Sequence, residues 1–253
     1  MLYLKRFLQQ VVQGQWLNKI LYNNLNLKII KHWVFDLDNT LYPASSNLFS
    51  KIDIRMKRFI ESKLDIDSEE AYVIQKKYYF KYGTTLAGLM KNHNIDPEEF
   101  LDYVHKIDVS SLEKNVKMQK ILKSLPGHKY IYTNGSQNHA INVMKRIGIN
   151  NYITNIFDIK NANYIPKPSI ISLKSFMKKF DIKGEEAVFF EDIPKNLINP
   201  KIAGFQTVLI KSSSHPDNNT DLLEVEKKHF KHIDHVTYNI TESLEQIYLD
   251  MSN

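Results

Sequence analysis

At 253 residues, the chain is long enough for one large α/β domain or a core domain with a smaller insert; its 43% hydrophobic and 25% charged residues are those of a globule. The absence of cysteine excludes disulfides, thiolate metal sites and cysteine nucleophiles, and fits a reducing, cytoplasmic compartment. The net charge of +6 comes from lysines spread over many expected helix faces, with no dense basic block, no nucleic-acid motif and no apolar run long enough to span a bilayer, so neither nucleic acid nor membrane is implied as a partner.

Residues 1–35 carry no Asp or Glu but hold Lys5, Arg6, Lys19, Lys28 and Lys31. Leu4, Phe7, Leu8, Val11 and Val12 recur at helical spacing, which predicts a basic amphipathic helix. The segment lacks the continuous apolar core of a secretory signal and the Ser and repeated Arg of a transit peptide. Residues 1–30 therefore read as an N-terminal extension rather than a targeting or membrane-surface segment.

A first β-like run, His32–Leu37, leads into two aspartates one residue apart, Asp36 and Asp38. From about residue 46 to 118 no convincing strand follows. Leu48, Ile52, Met56, Phe59 and Ile60 make one amphipathic stripe; Ala71 to Tyr82 makes a second helix, stopped by Gly83. Asp96-Pro97-Glu98-Glu99 is a helix start, with Asp as N-cap and Pro at the first helical position. Ser110 or Ser111 is expected to open a fourth helix ending before Pro126-Gly127. Further strands are expected at Tyr130–Thr133, Ile156–Ile159, Ala187–Glu191 and Thr207–Ile210, separated by helices at Asn138–Ile147 and Ser169–Phe180. A last strand and helix are expected near His235–Tyr238 and Leu244–Leu249. Near-continuous apolar strands alternating with helices predict a parallel sheet covered on both faces. The expected architecture is thus an α/β Rossmann-like core (31–45 and 119–253) with an inserted α-helical cap (46–118).

In open α/β sheets, ligands bind beyond the carboxyl ends of the strands. Those ends carry Asp36 and Asp38, then Thr133-Asn134-Gly135, then Glu191-Asp192, while Pro166-Lys167-Pro168 sets a lysine ahead of the acidic strand. Asp36-x-Asp38-x-Thr40, Thr133, Lys167 and Glu191-Asp192 resemble, in type and order, the four motifs of the haloacid dehalogenase (HAD) superfamily. Within it, "DLDNTLYP", "YGTTLAGLM", "IYTNG", "PKP" and "FFEDIPKNL" look closest to the pyrimidine 5′-nucleotidases.

The resemblance implies a Mg²⁺-dependent phosphomonoesterase. Asp36 would be the nucleophile that forms an aspartyl-phosphate. Asp38 would be the general acid and then base, with its pKa raised by the neighbouring carboxylate. The Asp38 side chain also argues against dehalogenase chemistry, since the dehalogenases of this superfamily lack a general acid at the matching place. Asp36, the Asp38 backbone carbonyl and Asp192 would hold Mg²⁺, with Glu191 acting through a water. Thr133 and the amides around Asn134 and Gly135 would bind phosphate, and Lys167 would pair with phosphate and Asp36. The implied substrate is a small phosphorylated metabolite, a pyrimidine nucleoside 5′-monophosphate first, with phosphoglycolate, a sugar phosphate, flavin mononucleotide, or non-catalytic binding on the same fold as alternatives. A monomer or homodimer would suffice.

Other residues carry weaker signals. Phe49, just after the first loop, is placed to face substrate from the cap, and Tyr78-Tyr79-Phe80-Lys81-Tyr82 is better read as cap packing than as a base-stacking surface. Thr40 is expected to bond the turn after the first strand. Asn196 is equally a site-supporting residue or a cap. His93, His105, His128 and His139 form no pair with metal-ligand spacing, and none is assigned to a site.

Overall fold

The computed structural model of the protein describes residues 25–211 and 230–252. The expected N-terminal helix at Leu4–Val12 lies outside them. The end of that segment is described, and Leu25, Leu27 and Ile30 are buried against the core beside Trp33.

Six strands, β1 (His32–Phe35), β2 (His128–Tyr132), β3 (Asn155–Phe157), β4 (Ala187–Glu191), β5 (Gln206–Ile210) and β6 (His235–Thr237), form one sheet in the order β3-β2-β1-β4-β5-β6. Every pairing is parallel, with His32 opposite both His128 and Ala187. The chain moves outward from β1 in one direction through β2 and β3, then returns to β1's other side for β4. That reversal makes β1 the switch point, where the two connections leave a crevice at the carboxyl edge.

Side-chain alternation divides the core. Trp33, Phe35, Val188 and Phe190 face one layer of helices. These are α5 (Val116–Ser124), α6 (Gln137–Ile147) and α9 (Ile240–Ser252), through Met118, Val143, Met144 and Leu244. Val34, Tyr130, Tyr132 and Phe189 face the opposite layer, where α7 (Ile170–Phe180) supplies Leu173 and Phe176. Between β4 and β5 lies the short α8 (Ile198–Ile202).

Between β1 and α5 stands a helical block with a core of its own: α1 (Leu48–Leu64), α2 (Ser68–Tyr82), α3 (Thr85–His93) and α4 (Pro97–Val104). Ile52, Phe59, Leu89, Phe100 and Val104 fill it. Asp67 caps α2 by accepting from Glu69 and Glu70 N–H, each at 2.9 Å, and Asp96 caps α4 by accepting from Glu98 N–H at 3.0 Å.

Three expectations change. Helix α3 had no counterpart in the periodicity, because it is short and interrupted by Gly88. That glycine is there for contact: a Cβ would lie 2.3 Å from Tyr78 Cγ, so only Gly lets α3 pack this closely on α2. The helix expected from Ser110 or Ser111 begins instead at Val116, capped by Asn115 Oδ1, which accepts from Met118 N–H at 2.9 Å. Ser110 is held in a turn by Asp108, whose carboxylate accepts from its amide at 2.8 Å and its hydroxyl at 2.6 Å. β1 ends at Phe35, although Asp36 N–H still donates to Phe190 O at 2.9 Å. Beyond it, Asn39 takes a left-handed φ of 60° and Leu41 N–H returns to Leu37 O, turning the chain away from the sheet.

Candidate active site

Because all strands run the same way, the ends of β1, β2 and β4 deliver their polar residues to one edge. At its centre is Lys167, 3% exposed. Its Nζ donates to Asp36 Oδ1 at 2.6 Å, Glu191 Oε2 at 2.7 Å and Tyr132 O at 2.8 Å. All three ammonium donors are thus used, as burial of such a charge demands. Asn134 sets the lysine's backbone: its Oδ1 accepts from Lys167 N–H at 2.8 Å and its Nδ2 donates to Lys167 O at 3.3 Å.

The three charges tune one another. Burial, the Glu191 charge and Asp38 push the Asp36 carboxyl up to about 7 against the pull of Lys167. Burial likewise raises Glu191 to about 7, with Asp192 adding to the rise. The two carboxylates hold the Lys167 ammonium well above its usual range despite its burial. Asp36, Glu191 and Asp192 each bring a carboxylate oxygen within 4.8 Å of the others. Glu191 Oε1 also accepts from the amides of Asp192 and Ile193 at 3.1 and 3.2 Å. It therefore fixes the loop that presents Asp192.

Asp38 departs from its expected state. Its Oδ1 accepts from Tyr42 Oη at 2.5 Å and pairs with His139 Nε2 at 2.7 Å. Burial alone would raise the carboxyl, but His139, Tyr42 and His105 outweigh it and hold it below the usual carboxylate range. The net direction is opposite to the rise expected from its neighbour Asp36. Two histidines left unassigned by spacing are thus at the site. His139 is 1% exposed and stacks on His105 at 4.5 Å, with the rings 8° apart. His105 Nδ1 lies 2.9 Å from Ser136 Oγ. No sequence rule joins them, because Asp38, His105 and His139 come from three distant segments.

The phosphate-loop residues meet at the same edge. Thr133 Oγ1 accepts from Gly135 N–H at 2.9 Å, so the Gly135 amide is turned inward, onto the loop. A Cβ on Gly135 would sit 3.3 Å from Thr133 Oγ1 and 3.6 Å from His105 Nε2, which makes this a tight corner. Thr40 bonds its turn through its amide, to Leu37 O at 3.3 Å, while its buried hydroxyl has no hydrogen-bond partner among the described residues. Asn196 is 3% exposed and faces the site from the turn after β4.

A cavity of about 680 Å³ joins this edge to the helical block. Asp36, Asp38, Thr133, Asn134, Gly135, Lys167, Glu191 and Asp192 line it from the sheet edge; Phe49, Gln75, Tyr79 and Phe80 line it from the helical block. Of the aromatic stretch, Tyr78 packs in the block's core with its hydroxyl 2.6 Å from His93 Nε2, whereas Tyr79 and Phe80 turn to the cavity. Lys195 from the core lies 4.6 Å over the Tyr79 ring. Gln75 donates from Nε2 to Asp53 O and Oδ1 at 3.1 and 2.7 Å, which fixes its amide orientation, and its buried Oε1 accepts nothing from the described residues.

Phosphate metabolism protein 8 of Saccharomyces cerevisiae is 33% identical over 131 residues, 47% of this chain and 40% of that protein, so the match spans about two fifths of the yeast relative. Glyceraldehyde 3-phosphate phosphatase of Methanocaldococcus jannaschii is 27% identical over 208 residues, 76% of this chain and 90% of that one. The solved structure of the HAD-hydrolase YfnB from Bacillus subtilis, bound to magnesium, shares the fold, with a TM-score of 0.53 at 13% identity over 88% of this chain and 99% of that one. Residues 33–210 match the haloacid dehalogenase-like hydrolases, and the chain belongs to that family.

Proposed function

We propose that this protein is a Mg²⁺-dependent phosphomonoesterase that works through an aspartyl-phosphate and prefers pyrimidine nucleoside 5′-monophosphates. The observation that carries the phosphatase reading is Lys167 bridging Asp36 and Glu191, with Asp192 beside them, at one end of a cavity. The two curated relatives, one named as a phosphatase and one for phosphate metabolism, support it.

The donor set fits a hard divalent cation. Its oxygens are carboxylates, and two of these groups are pushed up to about 7, first by burial and then by a neighbouring carboxylate. Asp36, Asp192 and the Asp38 carbonyl would hold Mg²⁺, with Glu191 behind them. Bound there, the cation would offset negative charge on the phosphate oxygens.

In the first step an Asp36 carboxylate oxygen bonds to phosphorus. The bond from phosphorus to the alcohol oxygen breaks, and that oxygen takes a proton from Asp38. In the second step water attacks phosphorus, its proton passes to Asp38, and the bond to Asp36 breaks to release inorganic phosphate. The lowered pKa of Asp38 favours its carboxylate, which is the base form. Negative charge arriving with the phosphate favours the acid form needed first. Lys167 faces the charge that builds up during transfer.

Two features of the cavity support a nucleotide. Phe49, Tyr79 and Phe80 line it with aromatic rings. The cavity is far larger than a three-carbon phosphate requires. A small sugar phosphate is the second reading, favoured by the archaeal relative. The lack of cysteine suits the cytoplasm.

The test is phosphate release from UMP, CMP, dTMP, AMP, phosphoglycolate, a hexose phosphate and flavin mononucleotide, with and without Mg²⁺, beside Asp36→Asn. Metal-dependent release favouring the pyrimidines and abolished in the variant is expected. Release favouring another substrate would discard the nucleotide, and release that survives in the variant would discard the mechanism.

A further inference from the structure

The contacts behind Asp38 assign a task to residues that the reaction itself does not consume. Both hydrogen bonds to Asp38 end on Oδ1; Oδ2 receives neither. His139 is placed for this by three independent restraints. It lies in the first turn of α6, directly after the phosphate loop, and its amide donates to the capping Ser136 Oγ at 3.3 Å. Its ring is buried. One ring face is covered by His105, in parallel at 4.5 Å, and His105 is itself tied to Ser136 Oγ. His105 is the C-cap residue of α4, the last helix of the inserted block. The path from the block back to the core therefore passes against the residue that holds Asp38.

We propose that His139 is a positioning residue that orients Asp38 for proton transfer to the leaving oxygen, and that His105 secures His139 so that the block's return segment must be seated for Asp38 to be aimed. This rests on the reading of Asp38 as general acid and base. The alternative task, a plain packing role for two buried rings, makes no distinction between leaving groups. The proposed task does. An alkoxide leaving group needs a proton in the transition state, whereas p-nitrophenolate leaves readily without one, so poor aim at Oδ2 harms only the former.

The experiment compares UMP and p-nitrophenyl phosphate on four variants of the full chain with Mg²⁺ present. His139→Phe keeps a ring against His105 and removes the hydrogen bond. His139→Gln restores a donor at similar reach. His105→Ala leaves the Asp38–His139 bond and removes its backing. Asp38→Asn removes the acid itself. In His139→Phe, kcat for UMP is expected to fall by about 10²-fold with KM within about threefold, and p-nitrophenyl phosphate turnover by less than about fivefold; His139→Gln recovers most of the loss. In His105→Ala the same selective loss is expected at about tenfold. Equal losses on both substrates in His139→Phe, or no loss, would overturn the proposal. If His139→Phe does not fold, the ratio in His105→Ala decides by the same criterion. Asp38→Asn separates the two claims. If it keeps full UMP turnover, the reading of Asp38 has failed. If it loses UMP turnover while His139→Phe does not, only the positioning role has failed.

Discussion

Lys167 is the residue on which the site's electrostatics turn, since its ammonium offsets two buried carboxylates whose pKa values are raised toward neutrality. Lys167→Met keeps much of the stem but leaves Asp36 and Glu191 facing each other without a cation. It should abolish turnover and destabilise the fold by about 3–5 kcal/mol, as loss of one partner of a buried ion pair does; urea denaturation would read the loss, and an unchanged midpoint would contradict it. Lysine at this position was legible from its flanking prolines and its place before the acidic strand. The opposite holds for Asp38. Its spacing from Asp36 suggested a raised pKa, but Tyr42, four residues away, and His139, 101 residues away, decide the sign.

Among the elements, α6 and α3 show how local chemistry and packing share control. Helix α6 could be read from its apolar stripe and Gly148, which sits at φ 84° as its C-cap. Its N-cap Ser136 also anchors His105. Ser136→Ala should cost about 1 kcal/mol for the lost cap, visible as a lower chemical denaturation midpoint; a cost near zero would show that the cap contributes nothing here. Helix α3 was hidden because Gly88 reads as a breaker, although Tyr78 is what requires it. Gly88→Ala gains helix propensity yet forces a Cβ into the Tyr78 ring. We expect overpacking to win, with a net loss of about 1–3 kcal/mol. Hydrogen exchange should locate that loss in residues 48–104. Protection unchanged there would mean that α2 and α3 can separate at no cost.

For the whole molecule, the carboxyl edge of the sheet and the helical block enclose one cavity, and its charged end should bind a cation in a pH-dependent way. Asp36 and Glu191 are each pushed up to about 7, so below that pH they hold protons that Mg²⁺ must displace, and above it they do not. Affinity should therefore rise with pH between about 6 and 8. The Mg²⁺-induced increase in Tm at fixed concentration should grow over the same interval. An increase of the same size at pH 6 and pH 8 would count against metal at these carboxylates. Sequence alone determined the parallel α/β core, because continuous apolar strand runs and helix stripes of period 3.6 are local patterns. It also determined the order of Asp36, Thr133, Lys167 and Glu191-Asp192, because each follows or precedes a recognisable strand. Only the tertiary structure decided what surrounds them: the lowered pKa of Asp38, the stacked His105 and His139, the Gln75 amide held on Asp53, and the helix that begins at Val116 rather than at Ser110 or Ser111. Each of these depends on groups that the fold brings together from distant segments or on a cap that competes with a nearby turn, and no period in the chain encodes such a meeting.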